Sequence, residues 1–465
     1  MNHPPHAWLP DLVYTGKKFK NNLTVASDAA GQVLSPALAN QAAEVVRLKN
    51  RALLPGLVNA HSHAFQRVVR GRTEHRTSNS SDSFWTWREM MYSAAERLTP
   101  EDLYDASRMA FMEMALSGIT TVGEFHYLHN QPEGSAYDDP NLLAKLVVQA
   151  AREVGLRIAL LRVAYVRAGY QVAENPRQSR FIETTSDLYL TNLAQLRSDL
   201  ASMSGEAWVG VAPHSVRAVP LDYLKAIVEY GNQASVPVHM HVAEQPAEVS
   251  ACIAEHGRSP VALLESEGLL SDRFTGVHMI HITAKAARMI AAAQAMVCAC
   301  PTTERNLGDG VVPMDLLLAE NVSVSLGTDS QTQIDLLEDA RELEYHLRLQ
   351  KLERAVLPQP DDEDRSALAT RLFDCATING ARSLGMTGQG LEAGSAADFF
   401  TVDLDDPSIA GATTDALLPT LVFALNKAAV KDVVVGGKLI VESGKHFAQE
   451  EITNKFMALQ RRLWS

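Results

Sequence analysis

Eight short apolar runs separated by amphipathic stretches constrain this chain more than any other feature. The runs are Leu53–Ala60, Ile119–Phe125, Arg157–Val163, Trp208–Pro213, Val236–Val242, Phe274–Ile280, Ala295–Cys300 and Val322–Gly327. Between them, helical spacing marks Glu101–Leu116, Leu142–Val154, Asp187–Ala201, Leu221–Ala234, Pro260–Leu269, Ala284–Ala293 and Met314–Ala319. A strand that is apolar on both faces belongs in a parallel sheet covered by helices. Eight such units predict an α/β fold, a (β/α)8 TIM-type barrel rather than an open sheet. The barrel is expected over residues 56–385, longer than the roughly 250 residues of a minimal one. The surplus is assigned to loops at Gly71–Arg97 and Arg167–Thr184.

Residues 1–55 and 386–465 read differently. Asn22–Val25, Glu44–Leu48, Ala397–Val402, Val430–Val435 and Lys438–Val441 look like antiparallel strands joined by glycine turns. The simplest packing joins both ends into one small β-sandwich beside the barrel.

The charge balance narrows the partners. With 42 Lys plus Arg against 55 Asp plus Glu, the net charge is −13, which argues against a nucleic-acid surface, since that needs clustered cations. No run approaches the roughly 18 apolar residues of a membrane span. Met1–Pro10 has neither the basic stretch nor the apolar core of a secretory signal, so a cytoplasmic protein is expected. Cys252, Cys298, Cys300 and Cys375 form no CxxC or disulfide framework and are expected to be reduced and buried.

Catalytic groups of a barrel come from the C-terminal ends of its strands, and that is where histidines and carboxylates gather here. His61-Ser62-His63 follows the first run, and residues i and i+2 of an extended segment point the same way. His241 ends the fifth run with Glu244 in the loop beyond it, while His239 reads as structural. At the end of the sixth run His278 is preferred over His281 as the residue facing the mouth. Asp329, in Gly327-Thr328-Asp329-Ser330, projects from the end of the eighth. Each pattern alone is commonplace; four at strand ends are not. His61, His63, His241 and Asp329 supply three imidazoles and a carboxylate for one divalent ion, with Glu244 and His278 left as proton carriers. Donors without thiolate favour Zn2+ and admit iron or manganese. An ion touching water brings its pKa from about 15.7 toward 7, so metal-assisted hydrolysis is expected.

These residues resemble the amidohydrolase superfamily, in particular its deaminase branch, through Pro55–His63, His241-Val242-Ala243-Glu244, the His278 strand, Gly327–Ser330 and Gly388–Asp398. The resemblance spans nearly the whole chain. More particular strings, His61–Arg67, Ser83–Glu89, Gly123–His129, Ala212–Arg217 and Cys300–Gly310, are similar to the group within that branch that deiminates N-formimino-L-glutamate in histidine breakdown. The resemblance implies one metal ion, since two-metal relatives carry a carboxylated lysine where this chain has Ala212-Pro213-His214-Ser215. It also implies that Asp329 accepts a proton from the attacking water, Glu244 relays protons to nitrogen and His278 hydrogen-bonds the tetrahedral centre. The products would be N-formyl-L-glutamate and ammonia. A dicarboxylate substrate needs fixed cations, and guanidinium matches carboxylate with two parallel hydrogen bonds; Arg88, Arg217 and His214 are the candidates, with Tyr127 and Gln66 as neutral partners. A homodimer is likewise implied. The chain departs from the group at Gln331, where a histidine is expected. The alternative is a related deaminase acting on a purine, pyrimidine or other guanidine-like compound.

Overall fold

In the computed structural model of the chain, which describes residues 6–39, 44–76, 84–173, 175–203, 205–358, 364–386, 388 and 390–465, Gly56 divides the first apolar run between two sheets. The terminal sheet takes β1 (His6–Tyr14), β2 (Phe19–Asn21), β3 (Val25–Ser27) and β4 (Glu44–Pro55) from the N-terminal side. The barrel follows with β5 (Leu57–Ser62), β6 (Ile119–His126), β7 (Arg157–Ala164), β8 (Ala207–Pro213), β9 (Val238–Val242), β10 (Phe274–His278), β11 (Met296–Ala299) and β12 (Val324–Leu326). Then β13 (Phe399–Asp403), β14 (Val430–Val435), β15 (Lys438–Glu442) and β16 (Lys445–His446) return to the terminal sheet. A Cβ on Gly56 would lie 2.2 Å from Thr120 Oγ1, so only glycine lets the chain pass from β4, paired with β13, to β5, paired with β6.

The eight barrel strands are parallel and lie in chain order. All residues of β5, β6, β9, β10, β11 and β12 are buried, as the two-sided burial of a helix-covered sheet requires. The seam between β12 and β5 is thin. A backbone bridge joins Ser62 to Asp329, reinforced by the amide of His63 donating to Asp329 O and that of Asp329 donating to His61 O, both at 3.0 Å.

The structure changes three details. The terminal sheet is mixed: β1 pairs with β4 in parallel, because the segment between them is long enough to cross over. Asn22, at φ +57°, starts a turn and not a strand; β3 begins at Val25. The expected loops also contain helix. Phe84–Arg97 is an α-helix that buries Phe84, Arg88, Met91, Tyr92 and Ala95 on one face, and Pro176–Phe181 is a 3-10 helix. Ser83, Glu174 and Gln389 lie outside the described residues.

The segment after β7 is pinned by a buried ion pair. Arg162 Nη2 donates to Glu183 Oε1 at 2.9 Å, Arg162 Nε donates to Asn141 Oδ1, and the Glu183 amide donates to Tyr165 O at 3.1 Å. Burial pushes the Glu183 carboxyl up, but the Arg162 hydrogen bond and nearby cations outweigh it and hold it at about 2. Its contribution to stability is therefore complete above the unfolded carboxyl value of about 4.3 and is lost as pH falls toward 2. Glu183→Ala should destabilise the fold by about 3–5 kcal/mol, because it strands a buried guanidinium. Urea unfolding at neutral pH measures this, and a loss under about 1 kcal/mol contradicts it.

Candidate metal and substrate site

At the C-terminal mouth of the barrel, β5, β9 and the turn after β12 bring His61, His63, His241 and Asp329 together, with one ligand atom from each inside a 4.8 Å span and all four side chains buried. His61 Nε2 is 3.2 Å from His63 Nε2 and 3.1 Å from His241 Nε2; Asp329 Oδ1 is 3.2 Å from His63 Nε2 and 3.6 Å from His61 Nε2. Bonds of about 2.0–2.2 Å to one tetrahedral ion put ligand atoms about 3.3–3.6 Å apart. The hydrogen-bond partners agree with this use. His63 Nδ1 donates to Phe125 O at 2.9 Å and His241 Nδ1 to His214 O at 3.2 Å. The Nε2 lone pairs are thereby turned toward one another, an arrangement that a cation satisfies.

The electrostatics select the same charge states. Burial pushes His61 down to about 3 and His241 well below the usual imidazole range, with neighbouring rings adding to it. Burial alone would raise Asp329, but hydrogen bonds with His61 and His63 hold it well below the ordinary carboxylate range. Neutral imidazoles beside a carboxylate form a donor set for a divalent metal. A second group, His278, Cys300 and Asp329, shares Asp329 with the first.

Glu244 and His278 border the cage. Glu244 Oε1 is 3.7 Å from His278 Nε2, which is 3.8 Å from Asp329 Oδ2. Burial pushes Glu244 up; His278 rises against burial because Glu244, Glu304 and Asp329 favour its charged form. His281 turns aside to Asp309 O, and His239 to Ser383 O.

A cavity of about 510 Å³, including its open mouth, extends from the cage, and Gln66, Arg88, Tyr127, His214 and Arg217 all line it. Arg88 lies over the rings of Trp85 and Tyr92 at 5.4 and 5.0 Å, and its Nη2 donates to Tyr165 Oη at 3.1 Å. Arg217 Nη1 donates to Ala168 O at 3.2 Å. Gln66 Nε2 donates to Tyr127 Oη at 2.8 Å, while its Oε1 is buried with no hydrogen-bond partner. Phe84, Trp87, Tyr92, Tyr165 and Phe181 complete an aromatic wall.

Sequence reasoning missed Tyr165 and Tyr92, and it gave Glu304 no role. Tyr165 immediately follows β7 and was open to the same strand-end rule; Tyr92 is one helical turn beyond Arg88. Gln331 does not line the cavity. Its Nε2 donates to Ser62 Oγ at 2.8 Å and Asp329 O at 2.9 Å, and its Oε1 accepts from Thr328 Oγ1 at 3.0 Å. Asn59 meets Thr328 from the other side, and Glu124 accepts from Ser62 Oγ at 2.6 Å and from the Ala64 amide at 2.7 Å. These side chains brace the seam that carries three of the cage residues, where Asp329 and Gln331 themselves sit at positive φ.

A parallel barrel with three imidazoles and a carboxylate gathered at its mouth, a donor set that suits a divalent metal, is the architecture of a metal-dependent hydrolase. The chain belongs to the amidohydrolase family, whose model matches residues 52–440. It is 37% identical over 408 residues to a formimidoylglutamate deiminase of Pseudomonas aeruginosa, covering 87% of this chain and 88% of that one. A 5-methylthioadenosine/S-adenosylhomocysteine deaminase of Syntrophomonas wolfei is 26% identical over 424 residues, covering 89% and 88%. Among solved structures, an amidohydrolase from Brucella melitensis superposes with a TM-score of 0.90 at 32% identity, covering 99% and 100%. An adenosine deaminase from Xanthomonas campestris, solved with bound zinc, shares the fold with a TM-score of 0.82 at 22% identity, covering 98% of each chain. Among the described residues no helix is long and apolar enough to cross a membrane.

Proposed function

We propose that this enzyme hydrolyses N-formimino-L-glutamate to N-formyl-L-glutamate and ammonia, using one divalent ion, Zn2+ by preference, held by His61, His63, His241 and Asp329. The observation that carries the reading is the pair of guanidiniums, Arg88 and Arg217, on the wall of the cavity that ends at the cage. A small dicarboxylate with a planar formimino head matches both ends, and the 37% identical relative is named for that activity.

When bound, the ion would lower the pKa of a water in contact with it and make that water a nucleophile near neutral pH. Asp329 takes a proton as water adds to the formimino carbon. Glu244 delivers protons to the departing nitrogen, and His278 hydrogen-bonds the developing tetrahedral centre from the other side. The carbon–nitrogen bond breaks and ammonia leaves. Arg88 and Arg217 bind the carboxylates, His214 adds a donor beside them, and Gln66 with Tyr127 orients the head. The same reading places the enzyme in the cytoplasm, in histidine breakdown, as a homodimer.

A second reading, deamination of a purine, pyrimidine or guanidine-like compound, is favoured by the aromatic wall, on which a heterocycle would stack. An ammonia-release assay with formiminoglutamate beside guanine, cytosine and adenosine separates the two, and metal analysis of the purified chain identifies the ion. Arg217→Ala should raise KM for formiminoglutamate by roughly 10- to 150-fold, the equivalent of about 1.5–3 kcal/mol for a charged hydrogen bond. An unchanged KM would favour a neutral heterocycle.

A further inference from the structure

We propose that Glu304 is a positioning residue that keeps a hydrogen on His278 Nδ1, so that Nε2 is the ring atom presented to the reacting centre. This rests on the role proposed for His278 above. Glu304 lies in the helix Pro301–Leu307, just beyond β11, and is buried. Its Oε1 is 3.1 Å from His278 Nδ1, and the same oxygen accepts from the backbone amide of Cys300 at 2.9 Å. The peptide N–H can only donate, so this oxygen is held in place as an acceptor, and a hydrogen on Nδ1 completes its second contact.

The orientation of the ring is determined from other sides as well. His278 is at the end of β10 with φ +71°, a conformation unusual for a side chain of this size. Its ring stacks on His241 with centroids 5.5 Å apart and planes inclined by 13°. Nδ1 therefore points away from the cavity toward Glu304, and Nε2 toward Glu244 Oε1 and Asp329 Oδ2 at 3.7 and 3.8 Å. With Nδ1 committed to Glu304, Nε2 is the ring atom left to face the reacting centre, next to the two carboxylates that the mechanism uses. A buried carboxylate that selects the tautomer of a catalytic imidazole, without itself changing protonation, is a known source of large rate effects. Glu304 touches neither the cage nor the cavity, and it acts only through His278.

Two variants separate this role from simple packing. In Glu304→Gln the Cys300 amide keeps the side-chain oxygen in the Oε1 place, so the acceptor at Nδ1 survives. In Glu304→Met the volume is retained and the acceptor is lost. The metal-loaded enzyme, labelled with 15N-histidine, reports the tautomer directly, with the His278 signals assigned by difference against His278→Asn. The expected spectrum has a hydrogen-bearing Nδ1 in the parent and in Glu304→Gln, and loss of hydrogen from Nδ1 in Glu304→Met. Turnover of formiminoglutamate should fall by roughly 10²- to 10⁴-fold in kcat for Glu304→Met, with KM nearly constant, and by no more than about tenfold for Glu304→Gln. A bare Nδ1 in the parent enzyme overturns the proposal even if Glu304→Met fails to fold. So does a Glu304→Met enzyme with unaltered His278 signals, or equal loss of kcat in both variants. If formiminoglutamate is not turned over at all, the function reading fails while the spectra still decide the role of Glu304.

Discussion

Chelation of the bound ion should reduce turnover to background, and added zinc should restore it. The expectation follows from the proposed ligand cage: His63 and His241 turn bare Nε2 atoms toward His61 Nε2 at 3.2 and 3.1 Å, with Asp329 alongside. His63→Ala should lose metal and activity together, since its Nδ1 is already committed to Phe125 O and its Nε2 faces the cage. Metal content by atomic spectroscopy, read beside the ammonia assay, checks both halves. A stripped preparation working at the parental rate would remove the chemical basis of the proposed function.

Glu244→Gln should lower kcat by roughly 10²- to 10⁴-fold while leaving metal content and KM close to parental values. The range is the usual contribution of a positioned proton-transfer group. Glu244 is the partly buried carboxylate facing His278 Nε2, and desolvation favours its proton-carrying form. An amide of the same shape keeps the packing and loses the proton. His278→Asn should cost a similar factor by removing a hydrogen-bond donor from the tetrahedral centre. Single-turnover kinetics isolates the chemical step, and a Glu244→Gln enzyme with parental kcat would show that the proton travels another way.

The barrel was legible because parallel strands buried on both faces leave an unmistakable apolar rhythm. Leu142–Val154 and Met314–Ala319 coincide with helices at both ends, and Val430–Val435 with a strand. The Leu53–Ala60 run is continuous in hydrophobicity but bends at Gly56 into a different sheet, so that only its part from Leu57 onward belongs to the barrel. The helix Phe84–Arg97 was concealed by its composition, since its buried face carries Arg88 and two aromatics in place of a plain aliphatic stripe. The cage residues stood out because strand ends determine where their side chains meet. The contact of Glu304 and the bracing role of Gln331 depend on side chains 26 and 269 residues apart, and no local pattern encodes such contacts.

The pairing of β4 with β13 has a bearing on how the molecule is made. Pro55 faces Phe399, so an emerging chain must wait for about 340 further residues, or roughly 17–70 s at about 5–20 residues per second on the ribosome, before that edge is covered. Asp329 likewise leaves the exit tunnel long after His61 and His63, so the four proposed ligands can meet only when most of the polypeptide has been translated. A nascent chain of this design should leave that edge open for longer when synthesis is slowed, and a larger insoluble fraction at unchanged specific activity of the soluble enzyme is the expected result.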